Sequence, residues 1–342
     1  MTIYSRIGVD FHPYQQTVAY CEDGTGELKL RKLKHKDKEE VRRFYGRFER
    51  GAVIGVEASG GLDWFERMLS DLGHKLVVGN PRLIRRMALT RQKTDDRDAE
   101  TILDLLLNGN FPEVMRREQH SREVLDLINY RHFLVRKRTS VANQMQAAAR
   151  RKGLDKFRTK SKPAKDLLER SCETEAEKYL LRSRRAVYEA MTAELDELNK
   201  KIEQEAANDE RARRLMTHSG VGVLTALALV HTLGDVNRFR RKEHVTAFIG
   251  LDPLESSSAE RRRIGRISKQ GSRLVRFLLV QAAQTSRDRR LREFYQGVSR
   301  RRGRPRAKVA AARRLLVNCF VMLRDGIDYE EFCRRGEVGL CV

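Results

Sequence analysis

Short apolar-alternating segments and helix-periodic segments follow one another through the first 110 residues. RIGVDFH (Arg6–His12), QTVAYC (Gln16–Cys21) and ELKLRKL (Glu27–Leu33) are β-rich, and Pro13-Tyr14 and Asp23-Gly24-Thr25-Gly26 separate them, so they predict a three-strand meander. Asp37, with Glu40 three residues on, has the spacing of a capping box and starts a helix. AVIGV (Ala52–Val56) predicts a strand buried on both faces, Gly61–Leu72 a helix, and KLVVG (Lys75–Gly79) a further strand. Pro81–Ala88 and Asp96–Leu107 close the region as helices. Beyond it the periodicity lengthens. Leu125, Ile128, His132, Val135, Thr139 and Ala142 repeat at 3-4-3-4 spacing, as do Val187, Met191, Leu195, Leu198 and Ile202, with the basic connector KGLDKFRTKSKP (Lys152–Pro163) between. Narrow apolar seams on long helices predict an antiparallel hairpin or a coiled coil between subunits. From about Arg211 the pattern changes again, to HSGVGVLTALAL (His218–Leu229), a Ser- and Arg-rich loop, and a helix from about Gly271.

The order βββαβαβα is that of the RNase H-like fold, in which a meander is followed by parallel strands joined by right-handed crossovers. Three regions are therefore expected. Residues 1–111 form an α/β domain, 112–210 a long helical coiled-coil middle that spaces and dimerises, and 211–342 a mostly α C-terminal domain with a helix-hairpin-helix-like turn.

Charge changes the picture most. The chain holds 70 Lys and Arg against 47 Asp and Glu, a formal charge of +23 over 342 residues, and such an excess calls for a polyanion, nucleic acid before a membrane surface. No apolar run approaches the roughly 18 residues of a membrane-spanning helix, and the N-terminus shows no signal peptide, so a cytoplasmic location is expected. The five cysteines, at 21, 172, 319, 333 and 341, have neither zinc-site spacing nor a disulfide framework and read as reduced thiols.

Against this basic background the acids stand out. KTDDRDAETILDLL (Lys93–Leu106) puts Asp95 and Asp98 three apart at a helix start, on one face. Asp10 lies inside the first strand and Glu57 just past AVIGV; in an RNase H-like sheet those strands are neighbours. One such acid would be a cap or a loop charge. Four crowded together repel unless a cation neutralises them, and their hard oxygen ligands suit Mg²⁺. Two ions can then activate a nucleophile and stabilise the leaving oxygen of a phosphodiester. His12 shares the side of the strand with Asp10, within reach of a phosphate or simply at the surface.

Two further constellations are basic. SGVGVLTALALV, with Gly220 and Gly222 bracketing a valine, has the pattern of a turn whose backbone N–H groups hold a DNA phosphate, and Arg238, Arg240 and Arg241 of RFRRKEH lie close by in sequence. A glycine-capped core helix is the alternative. In GLDPLESSSAERRRIGRISKQG, three serines precede Arg261, Arg262, Arg263, Arg266 and Lys269, a loop where phosphate would dock. A serine there could act as a nucleophile, with the arginines stabilising a pentavalent phosphorus, or the segment is an ordinary polar loop. Tyr295 in REFYQG is a rival nucleophile with apolar neighbours. RRRGRPR (Arg300–Arg306) suggests a groove-seeking loop.

The GVD strand, the GVEAS strand end, KTDxxDA, the GVGVLTA turn and the GLxP…SSx…GRISKQG block together resemble the DEDD transposases of the IS one-ten insertion-sequence family, which are themselves similar to Piv-type DNA invertases. The resemblance covers residues 1–110 and about 212–285. It implies a RuvC-like domain whose acidic quartet is Asp10, Glu57, Asp95 and Asp98, and a C-terminal transposase domain with a nucleophilic serine. The family's serine precedes a glycine; counting back from Gly265 places it at Ser258, with Ala259 in the glycine position, and Ser257 is the second choice. The resemblance also implies a structured non-coding guide RNA that pairs with donor and target DNA, a covalent phosphoserine link to DNA, and a homo-oligomer, dimer or tetramer. An invertase or junction resolvase using metal-activated water without RNA is the alternative within DNA chemistry. A non-catalytic nucleic-acid scaffold is the alternative outside it.

Overall fold

A computed structural model describes residues 5–21, 26–88, 94–154, 161–258 and 261–338, with backbone alone for 255–258, 261–264 and 337–338. The chain divides into two compact units, residues 1–116 and 117–342.

The first unit is built on five strands. β1 (Arg6–Phe11), β2 (Gln15–Cys21) and β3 (Leu28–Lys34) form the meander; α1 (Lys38–Gly46), β4 (Val53–Glu57), α2 (Asp63–Asp71), β5 (Lys75–Gly79), α3 (Pro81–Met87) and α4 (Asp95–Leu107) come after it. The sheet order is β3-β2-β1-β4-β5, with β1 in the centre. β1 runs antiparallel to β2, in register Asp10↔Thr17, and parallel to β4, in register Gly8↔Gly55 and Val9↔Val56. The meander and the two parallel strands expected from the pattern are therefore present, each within a residue or two of its expected bounds.

Alternation along β1 and β4 sends their side chains to opposite faces. Ile7, Val9, Phe11, Ile54 and Val56 join one core with Val41, Phe44, Tyr45, Phe65 and Leu69 from α1 and α2. Gly8 and Gly55 face the other way, under α4, and α4 lies so close that a Cβ on Gly8 would overlap the Ala99 carbonyl and the Leu103 backbone. A Cβ on Gly55 would come within 2.7 Å of Leu106. The glycines of GVD and GVE thus set how near the helix can approach.

Among the described residues the second unit is helical apart from one hairpin. It runs α5 (Gln119–Arg151), α6 (Lys162–Arg170), α7 (Glu175–Asn208), α8 (Glu210–Met216), α9 (Val223–Leu233), a single 3-10 turn at Val236–Arg238, α10 (Lys242–Ile249), β6 (Pro253–Ser258) and β7 (Arg261–Ile267). α11 (Arg273–Thr285), α12 (Arg289–Arg302), α13 (Arg304–Asp325) and α14 (Tyr329–Val338) complete it. α9 is buried on every side, and one core joins it to α10, α11 and α13.

The helical middle does not stand apart from the C-terminal helices. Val124, Ile128 and Leu134 of α5 and Leu195, Leu198 and Ile202 of α7 belong to that same core. Val124 and Leu134 take the deeply buried places that a strict seam would give to Leu125 and Val135. α5 packs on α7 and also on α9, so its buried face is broader than a two-helix seam requires. Only its far end, Met145 and Ala149, makes a separate small cluster with Leu168, Leu181 and Tyr188. No helix among the described residues is long and apolar enough to cross a membrane.

Candidate functional site

The stripe that α4 turns to the sheet explains where its acids go. Ala99, Ile102, Leu103 and Leu106 are its buried residues. Asp95 and Asp98 lie four residues before Ala99 and Ile102, so they continue the stripe one turn beyond the apolar contact. Thr94 caps the helix by accepting a hydrogen bond from the Arg97 amide at 3.3 Å, which fixes that first turn. On the sheet, Asp10 comes two residues after Gly8 and therefore lies on the α4 side. The strand's last polar residue and the helix's first turn meet there.

The side chains bear this out for three residues. His12 Nε2 is 3.0 Å from Asp10 Oδ2 and 3.6 Å from Asp95 Oδ1, and one donor atom from each of Asp10, His12 and Asp95 lies within 4.8 Å of the others. Burial raises the Asp10 pKa above the usual carboxylate range; His12 opposes this, while Asp98 and Asp95 add to it. Asp98 is thus close enough to be felt electrostatically. Glu57 ends β4 one position beyond the Val9↔Val56 pair, beside Asp10 on the neighbouring strand, and its carboxylate lies 4.0 Å from Arg85 of α3. It is outside the three-residue cluster.

Thr17 is the residue that sequence reasoning passed over. It pairs with Asp10 in the antiparallel register, and its buried hydroxyl finds no hydrogen-bond partner among the described residues. Only the strand register could have pointed to it, because a threonine in a strand carries no signal of its own. A buried acid whose ionised form is disfavoured, an imidazole nitrogen, a second carboxylate and an orphaned hydroxyl form a polar site that a hard divalent cation would satisfy.

In the second unit the serine block is a hairpin. Ser258 pairs with Arg261, Ser257 with Arg262 and Ser256 with Arg263, so the serines and the arginine run lie on adjacent strands next to the turn. Ala259, where the family's glycine would stand, lies outside the described residues. Arg266 and Lys269 are exposed farther along. Ser268 ties the base of the hairpin, its amide donating to the Asp252 carbonyl and its hydroxyl to the Asp252 carboxylate.

Below the hairpin two glycines let separate backbones touch. Gly250 (φ +76°) has no room for a Cβ against the Gln270 backbone, and Gly271 (φ +80°) none against the Phe248 carbonyl. Arg276 Nη1 donates to the carbonyls of Ile249 (2.9 Å), Gln270 (2.8 Å) and Gly271 (3.1 Å), clamping the end of α10 to the start of α11. The GL and KQG of the motif therefore build the hairpin's mount.

The other basic candidates separate. Arg240 and Arg241 are exposed and available to a ligand. Arg238 is engaged within the fold: its guanidinium donates to the Leu233 carbonyl at the end of α9 and stacks over Phe239 and Phe248. Gly220 owes its place to packing, since a Cβ there would strike Ser286 and the Ala282 carbonyl of α11. Gly222 is open and precedes the first turn of α9. Tyr295 packs against the helical core.

Comparison with known proteins agrees with this division. Residues 7–151 match a family described as a transposase of the DEDD IS110 type, and residues 212–296 one described as the transposase IS116/IS110/IS902 family. A probable family 20 transposase from Pseudomonas aeruginosa is 27% identical across 82% of this chain and 83% of its own length. The transposase for insertion sequence element IS1328 from Yersinia enterocolitica is 27% identical across 82% and 86%. The transposase for insertion sequence element IS1111A from Coxiella burnetii is 28% identical across 77% and 74%. With both domain matches and these relatives, the chain belongs to the IS110 family of insertion-sequence transposases.

Proposed function

We propose that this transposase cleaves and joins DNA strands with a divalent cation, Mg²⁺, held by Asp10, Asp95, Asp98 and Glu57, with His12 as a further donor. The observation that carries this is the meeting of Asp10, His12 and Asp95 within 4.8 Å, although they come from a strand and a helix some 85 residues apart. The RNase H-like strand order supports it, because β1 and β4 are parallel neighbours whose ends carry Asp10 and Glu57. A bound cation would neutralise the carboxylates and act as a Lewis acid on a phosphodiester oxygen. Asp10 holds its charge only at a cost in this buried place, which makes it the residue most strongly committed to a cation. His12 Nε2 lies against both carboxylates, 3.0 Å from Asp10 and 3.6 Å from Asp95, in reach of an ion held by them.

Ser258, at the end of β6, serves as the nucleophile. Its Oγ forms an ester bond to phosphorus as the deoxyribose oxygen departs, the hydroxyl proton passing to that leaving oxygen. Attack by a hydroxyl of the exchanged strand then releases the serine. Arg261, paired across the hairpin, and Arg262, Arg263, Arg266 and Lys269 supply the positive charge that such a phosphorus centre requires. Arg240 and Arg241 with the Gly222 turn add phosphate contacts that position DNA without reading its sequence. Sequence choice is delegated to a structured guide RNA, and the excess of positive charge, +23, fits a protein that handles two polyanions in a cytoplasmic oligomer.

Incubation of the full chain and its RNA with end-labelled donor DNA and Mg²⁺, resolved on a denaturing gel, tests the chemistry. A protein–DNA adduct is expected from the wild type and from neither Ser258→Ala nor Asp10→Ala. Cleavage by Ser258→Ala at the wild-type rate without an adduct would overturn the serine and favour metal-activated water.

A further inference from the structure

A groove of about 750 Å³ runs along the second unit between α5 and α11. None of the residues that line it is acidic, in a chain with 47 Asp and Glu. Phe277 stands on its α11 wall and is 45% exposed, off the buried stripe of Val275, Leu279, Ala282 and Ala283 that fastens that helix to the core. Opposite it, His132 of α5 brings its ring to 5.1 Å from the Phe277 ring, tilted by 54°. The groove therefore presents an aromatic pair open to solvent on one side.

Its rim is cationic. Arg136 lines it and makes no hydrogen bond or ion pair among the described residues, while Arg131 is steadied by donating to Asn199 at 2.7 Å. Burial, and then the guanidiniums of Arg136, Arg131 and Arg273, lower the His132 pKa from its ordinary value. Farther along the same wall Asn143 and Gln144 expose amides, each able to donate and to accept.

An aromatic platform, an amide pair and a positive rim without acids are what an unpaired nucleotide needs: a ring to stack on, donors and acceptors for a base edge, and a countercharge for phosphate. The volume is in the range of about 300–1,000 Å³ that holds compact ligands. A helix from a second copy of this chain is a poorer fit, because that copy is itself strongly basic. We propose that the α5–α11 groove receives an unpaired nucleotide of a bound nucleic acid, its base stacked on Phe277 and His132 and its phosphate facing Arg136. This rests on the reading of the protein as a nucleic-acid enzyme, yet it concerns a site made only of second-unit residues and independent of the acid cluster.

The test measures binding by the full chain of one sequence carrying 2-aminopurine, prepared as single-stranded DNA, single-stranded RNA and duplex DNA, without metal. Wild-type protein is expected to change the probe's fluorescence in at least one single strand, and the strand that responds identifies the source of the nucleotide. Phe277→Ala should weaken that single-strand binding about tenfold, the loss of roughly one stacked base, and leave duplex binding within about twofold. Phe277→Trp should retain it. Arg136→Ala should reduce the salt slope by about one. The proposal is overturned if Phe277→Ala binds single strands as the wild type does. It is also overturned if single-strand and duplex binding fall together, or if the variant changes only the sedimentation of the protein, which would make the groove a protein contact. Failure of the wild-type chain to cleave DNA with Mg²⁺ would overturn the proposed catalysis and leave this result standing, because the binding measurement contains no metal.

Discussion

The two units handle charge in opposite ways. In the first, a few acids are gathered where the sheet and α4 meet, and the central one, Asp10, is buried enough that its ionisation is opposed. In the second, exposed arginines are spread over the surface, at Arg266 on the hairpin, at Arg240 and Arg241 before α10 and along α5. A small cation must be encircled, and that demands rigid elements with side chains aimed inward. A polyanion has an extended charge, and it is met by side chains that need only reach it. Where an arginine of the second unit donates to backbone carbonyls, as Arg238 and Arg276 do, it becomes part of the scaffold.

This contrast can be broken at several points. The largest effect is expected at Asp10: Asp10→Ala should lower metal-dependent strand cleavage by about a thousandfold, as loss of a central electrostatic group does, measured as a single-turnover rate. Replacing Arg240 and Arg241 together should instead weaken DNA binding and lower its salt dependence, and leave the rate at saturating DNA near the wild type. Next comes the support beneath the acids. Gly8→Ala forces a methyl into the Ala99 carbonyl and the Leu103 backbone and should destabilise the first unit by about 3 kcal/mol or more, read from chemical denaturation. Gly55→Ala meets side chains alone, those of Leu106 and Ile102, and should cost less. In the second unit, Arg276→Ala leaves three carbonyls without their donor and should cost about 1–3 kcal/mol, whereas Arg240→Ala should cost almost nothing.

The smallest effect concerns pH. The folded-state pKa of Asp10 is raised, so folding favours its protonated form. That stabilisation is present below the ordinary carboxylate pKa and is lost as pH rises through the raised one. In metal-free protein, Asp10→Asn should therefore be slightly more stable than the wild type at neutral pH, and the advantage should shrink as the pH falls below the usual carboxylate range. Thermal melts at the two pH values check this. Added Mg²⁺ should reverse the order at neutral pH, because it stabilises only the protein that binds it.

Much of this was legible in the chain. The strand order followed from periodicity, and Asp10, Glu57, Asp95 and Asp98 stood out as acids at or near element ends in a strongly basic chain; of these the structure brings Asp10 and Asp95 together with His12. The same reasoning did not place His12 between Asp10 and Asp95, or Thr17 opposite Asp10, because tertiary register decides those contacts. The glycines divided in the same way. Gly220 fits a phosphate turn by pattern, yet its neighbour in space is Ser286 of α11, a contact across 66 positions that no local pattern encodes. The seam on α5 was displaced for a related reason: a helix that packs on two partners at once has no single repeat.

The central claim is that strand and helix carboxylates meet to bind a divalent ion. Mn²⁺ titration of the full chain, followed by the loss of the free-ion electron paramagnetic resonance signal, tests it most directly. Saturable uptake by the wild type, displaced by Mg²⁺ and weakened at least about tenfold in Asp10→Asn, is the result expected. Equal uptake by the two proteins, or none by either, would contradict it.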